Sequence, residues 1–252
     1  MLKTEDLHFG YKRGAPEVLK GVSIALAAGE IGIVLGRNGS GKTTLFKNIL
    51  GIEKPSSGLI TIDGKPVSRM NGRERARLIA YVPQNITFGA LTVFDSVLMG
   101  RISYFNLRAG KDDYTAVEEI LDEMGLSELA GRNVDELSGG EKQKVAIARA
   151  IAQAPKVIVF DEPTGNLDIA NERLLICETE KLAREKNIAV LCALHDLNEA
   201  LRLGDRFFFL KDGTVRRTGG KETFTPEVLR EIYDIDVRII EYEGQKIILG
   251  GN

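Results

Sequence analysis

Short apolar runs separated by glycine- and proline-rich turns set the rhythm of this chain. Ile31-Gly32-Ile33-Val34-Leu35, Val157-Ile158-Val159-Phe160 and the run from Ile188 to Leu194 have the length and continuity of buried strands. Thr43 to Leu50 follows the first run and reads as a helix, with Gly51 placed to cap it and Pro55 beyond. Turn chemistry recurs at Pro55-Ser56-Ser57-Gly58 and Asp63-Gly64, so residues 1 to about 86 read mainly as strands and turns. From about 87 to 153 the texture becomes helical. Asp112 to Met124 places Val117, Ile120, Leu121 and Met124 on one face, and Val145, Ala148, Ile151 and Ala152 repeat the spacing further on. After 155 the strands return, with a helix from about Asp168 to Lys186. Phe207-Phe208-Phe209-Leu210 and Val215 flank Lys211-Asp212-Gly213-Thr214, a hairpin signal, and Val237 to Leu249 forms a second hairpin across Glu243-Gly244. The pattern predicts an α/β chain carrying a helical insertion.

Composition narrows the function. At 252 residues the chain can bury one large core, or a core with an inserted lobe. Lys and Arg total 34 against 36 Asp and Glu, so no basic excess exists to neutralise a nucleic-acid backbone, and no nucleic-acid partner is expected. Apolar runs of about seven residues fall far short of the roughly twenty needed to cross a bilayer. No apolar stretch follows Met1-Leu2-Lys3-Thr4-Glu5-Asp6 to make a signal peptide. Cys177 and Cys192 lack metal-ligand spacing and read as free, packed thiols. These features lead us to expect a cytoplasmic protein.

Two segments are built to hold anions. Gly36-Arg37-Asn38-Gly39-Ser40-Gly41-Lys42-Thr43 fits G-x-x-x-x-G-K-[ST] and lies between a predicted strand and a predicted helix. Its glycines let the backbone curl and aim N–H groups at phosphate oxygens, at the positive end of the helix dipole. Lys42 adds a mobile charge for the β- and γ-phosphates, and the Thr43 hydroxyl suits magnesium. Ser138-Gly139-Gly140 opens a second helix, with Ser138 as N-cap and Glu141 in the first turn. The Val157–Phe160 run ends in Asp161-Glu162-Pro163, a carboxylate pair at the strand end where parallel α/β sheets bind ligands. Asp161 suits a hydrated magnesium ion and Glu162 a general base for water. His195 follows the last buried run, and Asp196 after it is a candidate N-cap. Taken alone, His195 also fits a histidine satisfied by a loop carbonyl, Gln84 a surface side chain, and Tyr11 the packing of an edge strand.

In this order the loop at 36–43 and Leu137-Ser138-Gly139-Gly140-Glu141 resemble the ATP-binding cassette (ABC) family, and the likeness runs through essentially the whole chain. The resemblance implies a RecA-like P-loop nucleotide-binding core (about 1–86 and 154–220) with an antiparallel β part. It also implies an inserted α-helical subdomain (about 87–153) and a tail with a hairpin (about 221–252). ATP and Mg2+ would be held by residues 36–43 and Thr44, with Tyr11 stacked on adenine. Metal contacts fall to Thr43, Gln84 and Asp161. Glu162 would activate water, helped by His195, Gln84 and Lys42. Ser138, Gly139 and Gly140 would reach the γ-phosphate held by a second copy, in a head-to-tail dimer. Asp168 belongs to the loop crossing the dimer axis, although Gly165 replaces the serine or similar small residue usual there.

Leu91 to Arg101, Asn166 to Asn171 and Tyr233 to Val237 are similar to ATPases serving iron-chelate, haem, cobalamin and metal-oxyanion importers. That likeness implies membrane permease subunits as direct partners and an extracytoplasmic binding protein as an indirect one. The expected place is the inner face of the cell membrane. A different reading keeps the same motifs: a soluble cassette ATPase acting on a scaffold, as in iron–sulfur assembly. No coiled coil interrupts the cassette, as a chromosome or repair ATPase would need.

Overall fold

The computed structural model describes residues 1–12, 14–84, 87–164 and 169–250. Its first strands are β1 (Leu2–Phe9), β2 (Leu19–Leu26) and β3 (Ile31–Leu35), followed by α1 (Lys42–Ile49). Next come β4 (Ser57–Ile62), β5 (Lys65–Pro66), α2 (Gly72–Leu78) and β6 (Ile79–Val82). Among the described residues, the α-helices α3 (Val93–Leu98), α4 (Lys111–Glu123) and α5 (Gly139–Ala152), with short 3-10 turns between them, lie between β6 and β7 (Val157–Asp161). The chain continues through α6 (Ile169–Arg184), β8 (Ala189–Ala193), α7 (Leu197–Leu203), β9 (Arg206–Lys211) and β10 (Thr214–Gly219). It ends in α8 (Pro226–Tyr233) and the hairpin β11 (Val237–Tyr242) and β12 (Gln245–Gly250).

The strands form a six-stranded sheet in the order β10-β9-β3-β8-β7-β6 and a four-stranded antiparallel sheet in the order β2-β1-β4-β5. In the larger sheet β9, β3, β8, β7 and β6 are mutually parallel and only β10 runs against its neighbour. Every residue of β3, β7 and β8 is buried, as strands covered on both faces require. Alternate residues then serve two cores. Ile31, Ile33, Phe207 and Phe209 join the helices, whereas Val34, Phe208 and Leu210 meet α1 and the antiparallel sheet. Because the strands are parallel, the loops after β3, β6, β7, β8 and β9 all emerge on one rim. Residues 36–43, Gln84, Asp161–Glu162, His195 and Lys211 are gathered there.

Helix α1 begins at Lys42, and both hairpins fall where the turn chemistry put them. Two helices were not foreseen: α8 opens the tail before its hairpin, and α2 interrupts the strand-and-turn texture before residue 86. Asn71 accepts from the Glu74 N–H at 3.0 Å while the Glu74 carboxylate accepts from the Asn71 N–H at 2.9 Å, a capping box that starts it. The Asn-x-x-Glu spacing was the available signal. The α2 surface carries no fully buried residue, so apolar periodicity gave none.

Candidate active site

The loop after β3 is pressed against the sheet rim. A side chain at Gly36 would collide with the Leu210 carbonyl, so only glycine permits this approach. Lys42 is 5% exposed and reaches back to donate to the Gly36 carbonyl at 2.9 Å, with the Arg37 carbonyl at 3.4 Å. Burial lowers its pKa, an effect opposed by the nearby charges of Glu162 and Asp161. Its Nζ lies 3.7 Å from Glu162 Oε1.

The two carboxylates at the end of β7 have different surroundings. Asp161 is buried, and desolvation raises its pKa despite hydrogen bonds from Tyr81 (3.2 Å) and Thr43 (3.4 Å). Glu162 turns the opposite way because its backbone takes the left-handed region at φ 53°. Such a conformation costs about 1–3 kcal/mol for a residue other than glycine and recurs at functional sites. Here it delivers Oε2 to within 2.7 Å of His195 Nε2. With the ring proton on Nε2, His195 donates to Glu162.

A cavity of about 550 Å³ joins Asn38, Gly39, Gly41, Lys42, Thr43, Thr44, Gln84 and Glu162 with Val18, which the sequence had not singled out. Tyr11 stands at the loop with its hydroxyl 3.0 Å from Thr44 Oγ1 and its ring edge-on to Phe9, and it is 53% exposed, leaving ring surface free. Arg37 and Ser40 face a different cavity behind the loop, and Arg37 pairs with Asp234. Its expected part in nucleotide binding therefore falls to its backbone. Tyr81 was also missed; nothing in its sequence context marks a tyrosine two residues before a proline as a partner for Asp161.

Ser138, Gly139 and Gly140 do not line the 550 Å³ cavity. They form a separate helix end, where Ser138 accepts from the Glu141 N–H at 3.4 Å and its own N–H donates to Glu141 at 2.8 Å. The Ser138 hydroxyl also donates to the Glu141 carboxylate at 2.7 Å, and this bond, followed by the one from the Ser138 N–H, lowers the Glu141 pKa. Gly140 packs so closely on Asn171 that a Cβ would overlap its side-chain amide. Asp168, expected near the dimer axis, lies outside the described residues.

Beyond His195, Asp196 caps α7 by accepting from the Asn198 and Glu199 N–H groups at 2.7 and 2.9 Å. Burial, then the facing Glu172, pushes the Glu199 carboxyl up to about 7 from its ordinary 4.5, and one of its oxygens is buried without a hydrogen-bond partner among the described residues. Between those pH values the folded chain binds more protons than the unfolded one. Stability therefore falls as pH rises through this window. Glu199→Gln is expected to raise the melting temperature at pH 8 but not near pH 4.5; equal shifts at both would refute this origin.

The arrangement is suited to phosphoryl transfer to water: a phosphate-sized anion cradle, a buried cation, a magnesium-suited carboxylate and a second carboxylate oriented by an imidazole. Comparison with known proteins agrees. The family model described as ABC transporter matches residues 19–165. The iron(3+)-hydroxamate import ATP-binding protein of Bacillus subtilis (strain 168) is 33% identical over 95% of this chain and 90% of its own. A solved structure described as an inward-facing metal-chelate type ABC transporter is 30% identical. It superposes with a TM-score of 0.84 over 98% of this chain and 95% of its own. A bacterial ABC transporter cassette solved as a dimer is 32% identical, with a TM-score of 0.75 over 89% of this chain and all of its own (100%).

Proposed function

The chain belongs to the ABC transporter family and is an ATPase of that family, and from that premise we propose that it powers uptake of a metal chelate through partner membrane subunits. The solute class is iron–siderophore, haem, cobalamin or metal oxyanion, and the site of action is the cytoplasmic face of the membrane. The observation carrying this reading is that likeness to an iron(3+)-hydroxamate import subunit extends along 95% of the chain rather than over the motifs alone. A scaffold ATPase of iron–sulfur assembly would share the motifs, but this chain-long likeness does not favour it. Among the described residues no helix is long and apolar enough to cross a membrane, and in this reading the partner membrane subunits form the transport path.

In this mechanism ATP lies along the loop at 36–43, with adenine against Tyr11. Thr43 Oγ1 and Asp161 Oδ1, 3.4 Å apart, and the Gln84 amide on the cavity wall offer the oxygen ligands that magnesium prefers. They would hold the ion, which when bound neutralises charge on the β- and γ-phosphates. Lys42 adds its charge to the same phosphates. Glu162 accepts a proton from the attacking water, while His195 fixes the carboxylate's direction. Ser138, Gly139 and Gly140 of a second copy complete the site, which explains why they form an anion-ready helix end outside their own chain's cavity. Asp168 is assigned to the same dimer junction.

ATP-driven closure of two copies then moves the helices between β6 and β7. A cavity of about 620 Å³ lined by Ile52, Arg75, Tyr81, Met99 and Arg149 is our proposed seat for a short helix of each membrane subunit. Ile52 and Met99 are 63% and 46% exposed, giving such a helix apolar purchase. Tyr81 lines this groove and also donates to Asp161, so groove and nucleotide site share one side chain.

Recovery of the tagged protein from its native membranes in mild detergent tests the assignment. A co-purifying subunit with many membrane spans is expected, and the binding protein working with it would identify the solute. Soluble partners alone, with the protein absent from the membrane fraction, would refute the transport role.

A further inference from the structure

The end of α8 lies directly behind the phosphate loop. Ile232 and Asp234 line a cavity of about 240 Å³ whose other walls include Arg37, Ser40 and Lys211. Asp234 adopts the left-handed conformation that ends α8 (φ 57°, ψ 38°), and its N–H donates to the Arg230 carbonyl. This turn directs its carboxylate to two cations at once. One oxygen pairs with Arg37, inside the loop; the other lies 3.0 Å from Lys211 Nζ, at the end of β9. Lys211 is itself fixed by a hydrogen bond to the Glu231 carbonyl of α8. The neighbouring Tyr233 hydroxyl is buried close to the Gly36 backbone, without meeting it at hydrogen-bond geometry. From the hairpin turn after β9, the Gly213 N–H donates to the Ser40 carbonyl at 3.1 Å. The loop is thus held from behind at Arg37 and Ser40, by chain that lies after the whole catalytic set.

We propose that Asp234 is a positioning residue for nucleotide binding: by bridging Arg37 and Lys211 it presets the phosphate loop before ATP arrives. The proposal rests on the assignment of residues 36–43 to ATP. Because Arg37 does not line the cavity that holds Lys42 and Thr43, Asp234 acts on the nucleotide only through the loop backbone. Preorganisation lowers the ordering cost of binding and leaves Glu162 untouched. It should therefore appear in affinity rather than in turnover.

The test is equilibrium binding of a fluorescent ATP analogue to the full chain, with steady-state kcat and KM measured beside it. Arg37 and Asp234 are 59% and 54% exposed, which sets a modest scale. Asp234→Ala is expected to weaken binding and raise KM about two- to fivefold, with kcat nearly constant, and Asp234→Glu should recover most of the loss. Arg37→Ala should match it, and the double variant should be no worse than either. Arg37→Lys, which keeps a cation facing Asp234 and leaves the Lys211 contact in place, should retain near-parent affinity, a readout that holds even if Asp234→Ala folds poorly. Unchanged affinity in the alanine variants, additive losses or a fall confined to kcat would overturn the role of Asp234. Lys42→Ala separates the two levels: if it binds the analogue as well as the parent does, the ATP assignment itself fails and the proposal with it.

Discussion

Glu162→Gln is expected to keep ATP bound while lowering turnover at least about a hundredfold, the lower end of what a positioned general base contributes. That factor corresponds to about 2.7 kcal/mol of barrier. The substitution keeps the side chain's size and leaves an oxygen for His195 Nε2, now 2.7 Å away, but removes the basic lone pair that must take the proton from water. It also removes the negative charge 3.7 Å from Lys42, leaving that cation freer to act on phosphate. Affinity should therefore hold or improve as turnover collapses. Single-turnover phosphate release, run beside nucleotide binding, distinguishes these effects. Near-normal release would take Glu162 out of the base role.

Lys42→Ala should fail at the earlier step, with ATP affinity down about ten- to hundredfold, the scale of hydrogen bonds to a charged group. The lysine is buried, and its direct contacts are two loop carbonyls and Glu162. Removing it deprives the phosphates of their cation and leaves Asp161 and Glu162 with less to offset their repulsion. Equilibrium binding of a fluorescent ATP analogue measures the loss. Unchanged affinity would refute the assignment of the loop at 36–43.

The parts of the site that were legible in the sequence are the local ones. Residues 36–43, the Ser138 helix cap and Asp161–Glu162 each carry their meaning within a few positions, because a helix end or strand end is fixed by its immediate neighbours; His195 does not, since alone it also fits an ordinary loop histidine. The buried strands were legible for the same reason: β3, β7 and β8 need apolar residues on both faces. Contacts set by sheet order were not legible. No spacing places Tyr81 beside Asp161 or Asp234 beside Arg37, since each pair meets only after distant strands or helices have packed. The left-handed backbone of Glu162 is equally silent, because its sequence neighbours are ordinary for a strand end. The resemblance supplied what geometry in one chain does not, the role of Ser138–Gly140 toward a second copy.

The place of β3 in the middle of the six-stranded sheet has a consequence for how the protein is made. Its two neighbours, β8 and β9, are synthesised about 160 to 175 residues later. At ribosomal speeds of about 5–20 residues per second, the strand that presents the phosphate loop waits roughly 10–30 s for its partners. During that interval an apolar segment is exposed with both hydrogen-bonding edges open, the condition that invites aggregation and chaperone binding. Nucleotide offers little help before then, because Asp161, Glu162 and His195 have not joined the loop. ATP can reward the finished fold by mass action, but it cannot template the nascent one.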